Sequence, residues 1–176
     1  MRILMPVDSS EYSKAAVAFV ATRTTLFKNP TEVELLNIQY PVPSRAARAL
    51  GREMVQSYHE SEAAKALKTS AAALKRAGAN AAGRYVVGTV AHELASIVAN
   101  DRADLIVMGS HGDTGLKKLI LGSVASAVAV SCTKPLLILR GAQIPKRDSL
   151  KVGIALDGSP YGLAVARFVA RNRDLF

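Results

Sequence analysis

A chain of 176 residues, 49% of them hydrophobic, is long enough for one full core and too apolar for a disordered segment. Aromatics make up only 5% and Trp is absent, so the core must be aliphatic and no stacking platform for single-stranded nucleic acid is expected. The net charge of +9 would suit a polyanion, but the basic residues are scattered from Arg45 to Arg173 without a zinc-finger, homeodomain or RNP pattern, so nucleic acid is not expected as a partner.

The apolar runs at 105–108 and 135–139 are far shorter than the roughly 20 residues of a membrane span, so no membrane partner is expected either. Met1-Arg2 leads directly into a strand-like segment and not into a secretory leader. Cys132 is the single cysteine, and its apolar neighbours suit a buried thiol. These features together set the expectation of a cytoplasmic protein.

Residues 2–7 (RILMPV) read as a strand ending at the turn and N-cap cluster Asp8-Ser9-Ser10. A helix is predicted over 11–27, with Ala15, Phe19 and Val20 on one face and Asn29-Pro30 as its stop. Residues 33–38 form a second strand, broken by Pro41 and Pro43, and 44–52 read as a small, basic, flexible excursion. A long Ala-rich helix follows over 53–76, closed by Gly78, then a third strand at 83–87. Gly88-Thr89 opens a helix bearing Val90, Leu94, Ile97 and Val98 on one face. The fourth strand, 105–108, is apolar throughout and should be covered on both sides. A glycine-punctuated loop, a helix over 123–130 and a fifth strand at 136–139 complete the series. Strands alternating with helices predict a doubly wound α/β fold on a parallel five-stranded sheet with right-handed crossovers.

Residues 151–173 repeat residues 2–24 at a constant offset of 149: Asp157 matches Asp8, Ser159 matches Ser10, Tyr161 matches Tyr12, Ala164 matches Ala15, and Phe168-Val169-Ala170 match Phe19-Val20-Ala21. The expected organisation is one domain over 1–140, a linker over 141–149 and a partial second repeat of one strand and one helix over 150–176. Such a unit buries too little to stand alone. It should dock on the first domain, pair with another chain or remain mobile.

The chemistry concentrates between Gly109 and Ser123 (GSHGDTGLKKLILGS), after the all-apolar strand and before a helix. In open α/β sheets ligands bind beyond the carboxyl ends of strands where the order reverses. Glycines allow close backbone approach and positive φ, and their amides can form an anion nest. The helix opening at Gly122-Ser123 aims free N–H groups and its positive dipole end at the same place. Glycine in a strand-to-helix turn can equally be structural, and neither Gly-x-Gly-x-x-Gly nor a P-loop pattern is present.

The spacing Gly109-x2-Gly112-x9-Gly122-Ser123, with Ala103-Asp104 before the fourth strand and Pro6-Val7-Asp8 after the first, resembles the nucleotide motif of ATP-binding universal stress proteins over residues 1–140. The resemblance implies a three-layer, Rossmann-like fold of the adenine nucleotide alpha hydrolase-like kind, with strand order 3-2-1-4-5. It implies ATP as ligand, with Mg²⁺ or Mn²⁺ bound through the phosphates, and a homodimer closed through the edge of the fifth strand. By the same resemblance Asp8 contacts the ribose or its surrounding water and metal, Pro6 and Val7 wall the base, and the backbone of Ile38 meets adenine. Met108, Gly109 and Gly112 line ribose and phosphates. Gly122, Ser123, Val124 and Ala125 hold the β- and γ-phosphates through backbone amides. Asp113 departs from the family pattern, and an inward carboxylate there would repel a triphosphate that Lys117 and Lys118 could otherwise attract.

No catalytic set is visible. His111 has no obvious carboxylate to orient it, and His59 and His92 fall on predicted helices as surface or packing residues. The functional expectation is a regulatory nucleotide-binding protein of the stress response, with at most slow ATP hydrolysis. Two other classes compete: a nucleotide-free dimeric scaffold of the same fold, and an adenylyl-transferring enzyme, for which no PP-type or HxGH-type motif is present.

Overall fold

The computed structural model describes residues 1–112, 121–141 and 149–176. Five parallel strands, β1 (Arg2–Pro6), β2 (Glu32–Gln39), β3 (Asn80–Val87), β4 (Leu105–Gly109) and β5 (Leu136–Leu139), form one sheet in the order β3-β2-β1-β4-β5. The helices are α1 (Glu11–Thr22), α2 (Ser44–Leu50), α3 (Arg52–Arg76), α4 (Val90–Asn100), α5 (Ser123–Ser131) and α6 (Pro160–Arg171). The expected doubly wound sheet and its strand order are therefore present.

Period-two alternation in the central strands explains the layering. Ile3, Met5, Val33, Leu35, Leu105 and Val107 point to one face, where α1 and α3 supply Ala16, Val20 and Leu74. Leu4, Leu36, Ile106 and Met108 point to the other, against Leu94 and Val98 of α4 and Ala125 and Val128 of α5. The chain builds outward from β1 to β3 and then crosses back to β4. The crossover connections of β1 and β4 thus leave on opposite faces, opening a crevice at their carboxyl ends.

Cys132, expected to be buried, is only partly so, and two helix expectations differ from the structure. The segment expected to be a flexible excursion contains α2, because Arg-Ala-Ala-Arg-Ala-Leu is a strong helix former once Pro43 has turned the chain. It buries no residue, and Gly51, with φ of 80°, separates it from α3. The first helix ends at Thr22 and not at 27: Arg23 leaves helical geometry at φ −91°, ψ 57°, and a 3₁₀ turn, Thr24–Lys28, follows.

The sequence repeat has a structural counterpart. α1 and α6 each contain 12 residues, offset by 149. The N-cap Ser10 accepts from Ser13 N at 3.1 Å, and the N-cap Ser159 accepts from Gly162 N at 3.2 Å. Asp8 Oδ1 accepts from Ser10 N at 3.0 Å, and Asp157 Oδ1 from Ser159 N at 2.9 Å. The Ser159 hydroxyl, then its amide, hold the Asp157 carboxyl below its ordinary range. Both helices end in 3₁₀ turns, whose Leu26 (5% exposed) and Leu175 (fully buried) are again 149 apart and belong to one apolar cluster. α6 lies beside Met1, Asp104 and Pro135, at the amino ends of the strands and away from the crevice. Residues 151–157 are exposed and join no ladder among the described residues.

Glu34 on β2 accepts from Arg2 and, at 2.6 Å, from Arg84 Nε. Burial by itself would raise its carboxyl, but the two guanidinium hydrogen bonds outweigh that and hold it below the ordinary glutamate range. A depressed carboxyl stabilises the fold above the unfolded value, about 4.3, and loses that contribution as pH falls through the folded value. Glu34→Gln should therefore cost roughly 1 kcal/mol at pH 7. In urea titrations across pH the gap from wild type should close below about pH 4; a gap independent of pH would refute the assignment.

Candidate functional site

Four chain segments supply most of the crevice. Pro6, Val7 and Asp8 come from the end of β1 and its loop, Leu36 and Ile38 from β2, Met108 to Gly112 from β4 and its loop, and Gly122 to Ala125 from the start of α5. All eleven residues singled out from the sequence line this one cleft. Ser110 and His111, inside the expected Gly109–Ser123 segment, line it too; Ser13, Leu36, Val90 and Leu94 also do and were not foreseen, because only packing brings α4 and the side chain of Ser13 to its wall. Asp113, Lys117 and Lys118 lie outside the described residues.

The glycines act through space and not through positive φ. Gly51, Gly78, Gly141 and Gly158 are the positive-φ residues among those described, so the expected left-handed conformation is absent at Gly109, Gly112 and Gly122. A β-carbon on Gly109 would lie 2.7 Å from the carbonyl carbon of Tyr12, on Gly112 2.9 Å from Asp8 Oδ2, and on Gly122 3.1 Å from Ser110 O. Each glycine thus permits two segments of the cleft to approach closely.

Asp8 is held with one oxygen committed. Its Oδ1 accepts from Ser10 N at 3.0 Å and Ser10 Oγ at 2.5 Å, while its own amide donates to Ser13 Oγ at 3.1 Å. Oδ2 faces Gly112 across the cleft. The strand end behind it is fixed from the opposite face. Asn37 Nδ2 donates to Val7 O at 2.8 Å, and Gln39 Nε2 donates to Asn37 Oδ1 and His59 O, each at 3.1 Å. With its amide nitrogen so used, Gln39 must accept through Oε1 from His59 Nδ1 at 2.9 Å. His59, expected on a surface or in helix packing, is a buried link between α3 and this network.

At the opposite wall α5 begins without a side-chain cap. The Gly122 amide donates to Ser110 O at 2.8 Å, so the amide expected there for an anion is already engaged. The amides of Ser123, Val124 and Ala125 make no backbone hydrogen bond to a described residue. They form the positive end of the helix dipole and meet the cleft beside apolar Val7, Ile38, Leu94 and Met108. His111 sits at the rim, its ring centroid 5.1 Å from that of Tyr12 and its Nδ1 3.0 Å from Ser110 Oγ. Among the described residues the cleft has an apolar slot, the Asp8 carboxylate and a helix N-terminus with free main-chain amides, and such a cleft can accept a ligand that is flat at one end and anionic at the other.

A model of the universal stress protein family matches residues 1–140. The chain belongs to that family. This universal stress protein is 29% identical to MJ0577 of Methanocaldococcus jannaschii over 154 residues, 79% of this chain and 94% of that one. The solved structure of MJ0577 matches with a TM-score of 0.64 over 80% of this chain and 95% of its own. A universal stress protein from Archaeoglobus fulgidus DSM 4304, 23% identical, matches 97% of this chain and 62% of its own, with a TM-score of 0.69. Three further solved members share the fold at 12–23% identity and TM-scores of 0.55–0.57, over 78–80% of this chain and 91–96% of theirs. They hold cAMP, dAMP (from Archaeoglobus fulgidus) and AMP (from Arabidopsis thaliana). No described helix is long and apolar enough to cross a membrane.

Two glycine substitutions separate spatial need from flexibility. Gly109→Ala should destabilise by about 1–3 kcal/mol in chemical denaturation, because the Tyr12 backbone cannot yield. Gly153→Ala, where an added β-carbon meets nothing within 4 Å, should stay within about 1 kcal/mol of wild type. Equal effects would refute the packing account.

Proposed function

We propose that this universal stress protein binds ATP in the β1–β4 cleft and acts as a regulatory nucleotide-binding protein of the stress response. The observation that carries the reading is the set of amides of Ser123, Val124 and Ala125 at the start of α5, which make no backbone hydrogen bond to a described residue, beside an apolar slot. Oriented amides at a helix N-terminus favour phosphate oxygens and require no basic side chain. Asp8 has the opposite preference. An ionised carboxylate only accepts hydrogen bonds, so its Oδ2 suits ribose hydroxyls and repels phosphate. Pro6, Val7, Ile38 and Met108 then wall the base and sugar, with Gly109 and Gly112 giving the backbone room. Gly122 contributes its lack of a side chain, its amide being held by Ser110. The adenine nucleotides held by the three related structures are consistent with this chemistry.

A divalent ion, Mg²⁺ or Mn²⁺, belongs to this reading as a companion of the triphosphate. Asp8 is the one carboxylate among the described lining residues, and the described residues contain no cluster of three or more His, Cys, Asp or Glu suited to hold a metal. Such a donor set fits an ion carried by phosphate oxygens with Asp8 as an outer oxygen ligand. Hydrolysis should be slow, since no P-loop lysine is present and His111 is engaged with Ser110. The edge position of β5 extends the reading to a homodimer closed through that strand.

Calorimetric titration with ATP, AMP and cAMP in the presence of Mg²⁺ tests the proposal. ATP should bind most tightly, and Ser123→Asp should weaken it at least tenfold, or about 1.4 kcal/mol. The same change should leave thermal stability equal or higher, since an acidic first-turn residue stabilises a helix by about 0.3–1 kcal/mol. Equal affinity for AMP and ATP would refute phosphate recognition by α5. No binding at millimolar ATP would favour the scaffold reading, and turnover above about one per minute the enzymatic one.

A further inference from the structure

Residues 151–157, Lys-Val-Gly-Ile-Ala-Leu-Asp, correspond to the central buried strand β1 and its end and yet lie in solvent. In the first copy, Ile3, Leu4 and Met5 are fully buried between β2 and β4. In the second, Val152, Ile154 and Leu156 are 42%, 40% and 63% exposed. No backbone hydrogen bond joins 151–157 to another described residue, and nothing lies within 4 Å of a β-carbon added at Gly153. Spaced at i, i+2 and i+4, the three large apolar residues would share one face of a strand, with Gly153 and Ala155 on the other. An unpaired segment with an apolar face is a template for strand addition.

The charge pattern selects the partner. The segment is antisymmetric about Ile154: a base at one end, an acid at the other, and large apolar residues between them alternating with small ones. Antiparallel pairing with its own copy about Ile154 sets Lys151 against Asp157 twice, Val152 against Leu156 twice, and Ile154 against itself. Opposite charges directly across a ladder are favourable and like charges unfavourable, so parallel in-register pairing, which sets Lys against Lys, is disfavoured. The twofold arrangement closes on itself, as an isologous contact must. One face of the ribbon is then wholly apolar. The exposed Leu163 and Val165 on α6, which starts three residues beyond Asp157, supply the cover that a two-stranded ribbon needs.

We propose that residues 151–157 form an antiparallel ladder with the same residues of a second copy of this chain, centred on Ile154. The contact lies away from the cleft at the carboxyl ends of the strands, since α6 packs at their amino ends.

Sedimentation equilibrium of the full chain and of Ile154→Lys tests it. The variant puts two like charges on the axis and should halve the mass of the wild-type assembly. Its circular dichroism and melting temperature should be retained, because Ile154 is half-exposed and outside the sheet. Register is read in a Cys132→Ala background. Opposed residues of a ladder, about 5 Å apart, are within disulfide reach. Ile154→Cys should therefore cross-link to itself, and Val152→Cys to Leu156→Cys in a mixture but not to itself. A wild-type chain monomeric at every concentration, a mass unchanged by Ile154→Lys, or preferential Val152→Cys self-linking would each overturn the proposal.

Discussion

The backbone of Tyr12 lies so near β4 that a β-carbon on Gly109 would be 2.7 Å from its carbonyl carbon, and the geometry of the cleft depends on that proximity. It places the first turn of α1 directly against the end of β4. Asp8, in the loop that leads into that turn, faces Gly112, and Ser110 accepts from Gly122 at the mouth of α5. Each contact works only where a side chain is missing. The three glycines are in this sense one device, joining two loops that a doubly wound sheet would otherwise hold further apart.

Around that junction the electrostatics divide cleanly. Asp8 is fixed by Ser10 and Ser13 on its own turn, while the Asn37–Gln39–His59 network secures the strand end from the other face of the sheet. The opposing wall carries main-chain amides at a helix start, whose positive character does not depend on protonation. One wall therefore accepts hydrogen bonds and the other donates them, with aliphatic side chains between. This separation, more than any single residue, gives the cleft a direction.

The C-terminal repeat shows how local and global structure can part. Asp157, Ser159 and the 12-residue α6 reproduce the Asx turn, the cap and the helix length of the first copy, because those depend on neighbours within a few residues. The burial of β1 depends on strands distant in sequence, and the second copy has no counterpart to them among the described residues. The same local code thus yields a buried strand in one place and an exposed segment in the other.

The five strands and the parallel sheet were legible in the apolar runs alternating with helices, and the glycine loop before α5 in its spacing, whereas the strand order and the roles of the cleft-lining residues came from the family resemblance. The helix at 44–50 was hidden by its basic, small-residue composition, and the early end of α1 by a pattern that continued past Arg23. Residues Val90 and Leu94 were recognised as a packing face but not as cleft walls, and His59 not as part of a network. Such roles depend on distances between segments far apart in the chain, which no local pattern encodes. The sequence by itself determined which segments of the first 140 residues are strands, which loops carry glycine and that the sequence of the first βα unit recurs. Tertiary packing alone decided that Gly122's amide is engaged, that the motif glycines serve contact and not left-handed turns, and that the recurring strand lies bare. Those outcomes rest on which atoms meet across the fold.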